Sequence, residues 1–92
     1  MQITQLINTR GNSVANHFII HDEDTGARYL QSYSSIVARV EGDSVIFGPD
    51  WDYSVTTLKH LKSFLGFTGV KKQLEAAISS GKIIVKTIKV GE

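Results

Sequence analysis

The chain contains no cysteine. Disulfides, thiolate metal sites and cysteine nucleophiles are therefore excluded, and the absence fits a reducing compartment. Long apolar runs are missing as well. The longest uninterrupted aliphatic stretch, Ile83-Ile84-Val85, falls far short of the ~20 residues that a membrane-spanning helix needs. The N-terminus, MQITQLINTR, has no basic segment leading into an apolar one, so no secretory signal is read there. Charge of each sign is scarce in one half. Residues 1–54 carry three arginines against seven acidic residues, a net −4, whereas residues 55–92 carry seven lysines against Glu75 and Glu92, a net +5; the two sum to the chain's +1. Such a split points to a face for nucleic acid or an acidic partner, or simply to helices solvated by lysine.

What is present belongs to an ordinary soluble globule. Ninety-two residues, 41% hydrophobic and 21% charged, are read as a single domain spanning residues 1–92. Residues 2–9 read as a strand, and Arg10-Gly11-Asn12-Ser13 as a turn whose Gly11 and Asn12 tolerate positive φ. Residues 14–21 return as a second strand, with Val14, Asn16, Phe18 and Ile20 on the expected buried face. Asp22 to Gly26 is a second turn. Arg28–Ser34 and Ile36–Val40 form one strand with a bulge near Ser34-Ser35, or two short strands. Glu41-Gly42-Asp43 turns into Ser44–Phe47, and Gly48-Pro49 ends the strand-rich half.

The period then changes. Ser54 is the expected cap of a helix carrying Val55, Leu58, Leu61 and Leu65 and stopped by Gly66. Thr68 is the expected cap of a second helix with Val70, Leu74, Ala77 and Ile78, stopped by Gly81. Lys82–Val90 alternates as a final strand with lysines guarding an edge. The order predicts an α+β fold: an antiparallel sheet of about five to six strands, a two-helix hairpin on one face, and the last strand returning to the sheet.

Chemistry-bearing patterns are thin. His17 and His21 have a metal-like spacing on a helix, but on a strand four residues span roughly 13 Å, too far for one ion. No G-x-S-x-G elbow marks a serine, and Gly66-Phe67-Thr68-Gly69 lacks the lysine-serine ending of a phosphate loop. The expectation is a non-enzyme with no catalytic residues, no metal and no cofactor. Two helices joined by that glycine-bearing link have a helix-turn-helix outline, which makes Lys59, Lys62, Lys71 and Lys72 candidate nucleic-acid contacts. The stronger candidate surface is polar and aromatic. Asn8, Arg10 and Asn12 on the first hairpin join Gln31, Tyr33, Trp51, Asp52 and Tyr53 as expected partner-binding residues. The competing reading puts Trp51 in the core and uses the asparagines for turn formation. Asn16, on the apolar face, is expected to bond to backbone at a bulge or to Gln31 across the sheet.

Asn8-Thr9-Arg10-Gly11-Asn12 with Ala15-Asn16-x-Phe18, then Gln31-Ser32-Tyr33-x-Ser35-Ile36, then Trp51-Asp52-Tyr53-Ser54-x-Thr56-Thr57, resembles a family of small uncharacterised proteins from bacteriophages and prophages. The likeness covers residues 1 to about 66. It implies a phage or prophage origin, the cytoplasm of the bacterial host as location, and an accessory role. The expected role is binding a macromolecular partner, a host protein or defence component first. A nucleic-acid-binding protein and a small-ligand sponge are the alternatives. A homodimer through the C-terminal strand is a further expectation.

Overall fold

The computed structural model describes residues 1–8 and 10–91. Thr9, where the first strand was expected to end, lies outside the described residues. Five strands run as an antiparallel meander: β1 (Gln2–Ile7), β2 (Ser13–His21), β3 (Arg28–Ser32), β4 (Ser35–Glu41) and β5 (Ser44–Phe47). Helices α1 (Val55–Leu65) and α2 (Lys71–Ser79) follow, and then β6 (Ile83–Val85). The sheet is ordered β1-β2-β3-β4-β5-β6, an α+β fold as expected. One feature of the sheet differs. The final strand pairs parallel to its neighbour, through Val45↔Ile83, Ile46↔Ile84 and Phe47↔Val85. Alternation reveals that a segment is a strand, but its direction after a long crossover depends on how the helices return the chain.

The doubtful segment around Ser34 is a hairpin. Ser32 pairs with Ser35 across a two-residue turn, Tyr33-Ser34, and the irregularity falls within the ladder beyond it, between the Gln31↔Ile36 and Leu30↔Ala38 pairs. Val37 is the extra residue there, and its carbonyl accepts from the Gly48 amide at 2.7 Å.

Asn16 corrects the expected face of β2. It is exposed, with φ at 60°, and the β1–β2 register slips beside it. A left-handed residue rotates the chain between pleats, so the alternation does not carry through it. Val14 packs on the helix-side core before Asn16 and Ile19 packs there after it, while Ile20 is buried on the opposite face. The irregularity expected near Asn16 is present, but the side chain expected to bond there is exposed; it is the main-chain carbonyl of Asn16 that accepts from the Tyr33 amide, at 2.7 Å, and Gln31 donates to the Tyr33 carbonyl instead.

Ser54 caps α1, its Oγ accepting from the Thr57 amide at 3.0 Å, and Gly66 closes it in the left-handed conformation at φ 68°. That conformation is inexpensive only without a Cβ. The second helix starts two residues beyond Thr68's reach. Val70 occupies its N-cap, and the Gln73 side chain folds back to accept from the Val70 amide at 2.9 Å. Gln73 thus supplies the acceptor that Thr68 was expected to provide.

The helices cover one face of the sheet. Leu30, Ala38, Phe47, Trp51, Leu61, Phe64 and Leu74 form the core between them. Arg28 lies over the Phe64 ring, 5.0 Å from its centroid, pinning α1 to β3. The opposite face carries a smaller cluster of Ile20, Ala27 and Tyr29, closed by Ile88 and Val90. Here too the sequence reading is corrected. Strand pairing stops at Val85, and the segment after it leaves the sheet edge to lay Ile88 and Val90 across its back. Residues on one side of an alternating stretch serve equally well as a strap over an apolar strip.

Candidate functional site: a tyrosine-edged cleft at the β3–β4 turn

The turn that joins β3 to β4 and the stretch of β2 beside it hold an unusual pair of backbones. Tyr33 has φ at 55° and Asn16 at 60°, and they are the only non-glycine residues with positive φ among the described residues. The two are bonded to each other, Tyr33 amide to Asn16 carbonyl. Asparagine tolerates this region because its short side chain can bond locally; a bulky aromatic occupies it only under strain. The consequence is positional. The left-handed turn throws the Tyr33 ring outward, where it is 66% exposed and rests edge-on against His17 at 5.7 Å.

A cleft of about 200 Å³ opens beside it, lined by Ser32, Tyr33, Ser35, Val37, Asp50, Tyr53 and Thr57. Tyr53, 81% exposed, forms the other lip. It is placed there by the turn of Gly48 to Tyr53, whose amides at Trp51 and Tyr53 bond back to Gly48 and Asp50. Gln31 supports the first lip by donating from Nε2 to the Tyr33 carbonyl at 2.6 Å.

Beneath the first lip lies an edge-to-face pair of histidines. Buried His17 meets His60 of α1 with ring centroids 4.5 Å apart. His17 Nδ1 faces the Ala15 carbonyl at 2.7 Å, so that nitrogen carries the proton and Nε2 accepts from the Ser32 hydroxyl at 3.1 Å. A hydroxyl on an oriented imidazole is the start of a nucleophilic pair. Here the imidazole is enclosed between Tyr33 and His60, and its two nitrogens tie the Ala15 end of β2 to β3. The arrangement braces the turn.

His60 responds to pH. Burial, then the neighbouring His17 and Lys59, push its pKa below the ordinary histidine value, and its Nδ1 is buried without a hydrogen-bond partner. A depressed folded-state pKa means that the unfolded chain binds the extra proton more readily. Stability from this source is therefore complete above the unfolded histidine pKa and falls as pH drops through and below it. Thermal melts between roughly pH 7 and pH 5 should show a falling midpoint in the wild type and a flatter profile in His60→Leu. An unchanged slope in the variant would locate the titration elsewhere.

The remaining expected residues fall into separate places. Trp51 is 7% exposed and packs on Phe47 at 5.2 Å, so it is a core residue and not a contact surface. Its neighbour Asp52 is occupied by Lys71 at 3.2 Å, whose ammonium also sits 5.7 Å from the Trp51 ring. Asn8 is consumed by its own turn, its Oδ1 accepting from the amides of Arg10 and Asn12 at 2.9 and 3.0 Å. Arg10 and Asn12 are exposed at that hairpin tip. Asn8 also borders a second groove, about 430 Å³, where Leu6 and Ile7 of β1 face Val55, Leu58, Lys59, His60, Lys62 and Phe67. Among the nucleic-acid candidates, Lys59 and Lys62 thus share a groove, Lys72 is exposed, and Lys71 is engaged.

Of the expected set, Tyr33 and Tyr53 line the cleft, and Gln31 supports it through its bond to the Tyr33 carbonyl. Ser32, His17, Thr57 and His60 were missed. The available signal was Asn16, a residue type able to reset the alternation and turn His17 toward the helices. Among the described residues no helix is long and apolar enough to cross a membrane, and no three histidines or acids group to hold a metal. In comparisons with curated proteins and with solved structures, nothing matches. A family model does match, over residues 1–84, and the chain belongs to that family, a family of unknown function (DUF8033).

Proposed function

We propose that the protein is a non-enzymatic phage or prophage accessory protein that binds a macromolecular partner, a host protein or defence component, through the Tyr33–Tyr53 cleft. The observation that carries this reading is Tyr33 itself. A left-handed tyrosine costs on the order of 1–3 kcal/mol, and such strain gathers where function needs a side chain held in place. The strained backbone displays a ring at the surface when a glycine would turn the chain without it. Two exposed tyrosines flanking a cleft offer large contact area at low entropic cost. Arg10 would add a charged anchor from the neighbouring hairpin.

The decisive variant is Tyr33→Gly. Glycine adopts the same backbone without strain, so the variant should be as stable as the wild type or more stable by about 0.5–1 kcal/mol. Partner capture from host lysate, read by quantitative mass spectrometry, should nevertheless fall at least tenfold, and Tyr53→Ala should act likewise. Undiminished capture by both variants overturns the cleft. The competing nucleic-acid reading would appear as binding to generic duplex or single strands that weakens steeply with salt and is lost in Lys59→Ala/Lys62→Ala.

A further inference from the structure

We propose that β1 is a dimerisation strand: two copies pair β1 against β1, antiparallel, to make one continuous sheet about a two-fold axis. The proposal uses residues apart from the tyrosine cleft, so the two stand or fall separately.

An edge strand offers unpaired amides and carbonyls to any other strand, and monomeric proteins blunt such edges with charge, proline or shortness. The two edges of this sheet differ in that respect. β6 is three residues long and lies between Lys82 and Lys86. β1 is six residues long, QITQLI, without a charge or a proline, and among the described residues only β2 pairs with it. Its apolar side chains are also left open. Ile3 is 65% exposed, although its cross-strand partner Ile20 is buried in the back cluster, and Ile7 is 53% exposed. An antiparallel neighbour would extend the Ile20 strip across Ile3 and cover both.

Charge selects a second copy as the neighbour. The N-terminal end of β1 adjoins the acidic turn, where Glu23 holds the Met1 ammonium at 2.9 Å and Asp22 and Asp24 flank it. The other end of β1 borders the groove whose rim carries Lys59 and Lys62. Antiparallel pairing directs the acidic end of each copy toward the lysine-bearing end of the other, twice by symmetry.

Sedimentation equilibrium should show a dimer, loosened by salt. Ile3→Lys sets a lysine at the N-terminal end of β1, toward the lysine-bearing end of the other copy, and should raise the dissociation constant at least about 100-fold, whereas Ile84→Lys on the opposite edge should leave it unchanged. Because the chain has no cysteine, Thr4→Cys in the middle of β1 should yield a single oxidative cross-link between copies. Hydrogen exchange gives a readout independent of the variants, since dimerisation should slow the β1 amides as concentration rises. A monomer at every concentration overturns the proposal. So does a dimer that survives Ile3→Lys and is lost with Ile84→Lys, or β1 protection that appears only when a different protein is bound.

Discussion

Phe47→Ala is expected to cost about 3–5 kcal/mol, a large share of the ~5–10 kcal/mol available to a domain of this size. Phe47 is fully buried at the end of β5, pairs with Ala38 on one side and Val85 on the other, and stacks at 5.2 Å against Trp51. It therefore sits where the meander, the parallel strand and the helical layer meet. Truncation removes the ring from water-free surroundings and leaves a cavity that three elements cannot close together. The midpoint of thermal unfolding should fall by about 4–8 °C for each kcal/mol lost. Phe47→Leu, which keeps most of the volume, should cost no more than about 1.5 kcal/mol. Equal effects for the two would mean that the site tolerates empty space, contrary to its packing.

Gly48→Ala is the second large effect, and its cause is backbone geometry. A Cβ at Gly48 would collide with the carbonyl oxygen of Ile36, and the Gly48 amide is already bonded to the Val37 carbonyl at 2.7 Å. Main chain stands against main chain there, so no side-chain rotation relieves the clash. The bulge at Val37 brings β4 this close to the exit of β5. We expect a loss of about 3 kcal/mol in chemical denaturation with little change in the slope against denaturant. By contrast, Gly42→Ala in the β4–β5 turn meets open space and suffers only the strain of its φ of 57°, so it should cost about 1 kcal/mol. If Gly42→Ala proved the more damaging, close approach at Gly48 would not be the controlling contact.

Those two residues also show what sequence reasoning reaches. Phe47 follows an alternating strand before Gly48-Pro49, so the end of the strand-rich half is visible from residue types alone. The Ser54 cap and Gly66 stop are equally legible, because each satisfies backbone groups within a few residues of itself. Close approach at Gly48 is not legible, since it arises from a bulge on another strand. The Asn16 reversal is hidden for a related reason: one residue's left-handed φ reassigns every side chain after it, and asparagine takes that conformation only when its surroundings favour it. Trp51 illustrates a third limit. Its composition suits a recognition surface or a core equally, and the position of Phe47 beneath it decides. Of the candidate site, the tyrosines could be picked out but not their shared cleft, which forms only when the turn at Tyr33 and the loop at Tyr53 meet over Thr57.

The parallel pairing of β5 with β6 has a consequence for the order of assembly. The hairpins of the meander close over a few residues each, whereas Phe47 and Ile83–Val85 meet only after both helices have been laid down between them. Closing that longer loop carries a greater entropic cost and comes late. The C-terminal strap can fold over the back of the sheet only once β6 is in register. The strap carrying Ile88 and Val90 is thus expected to behave as a latch, engaging at the end of folding and releasing at the start of unfolding.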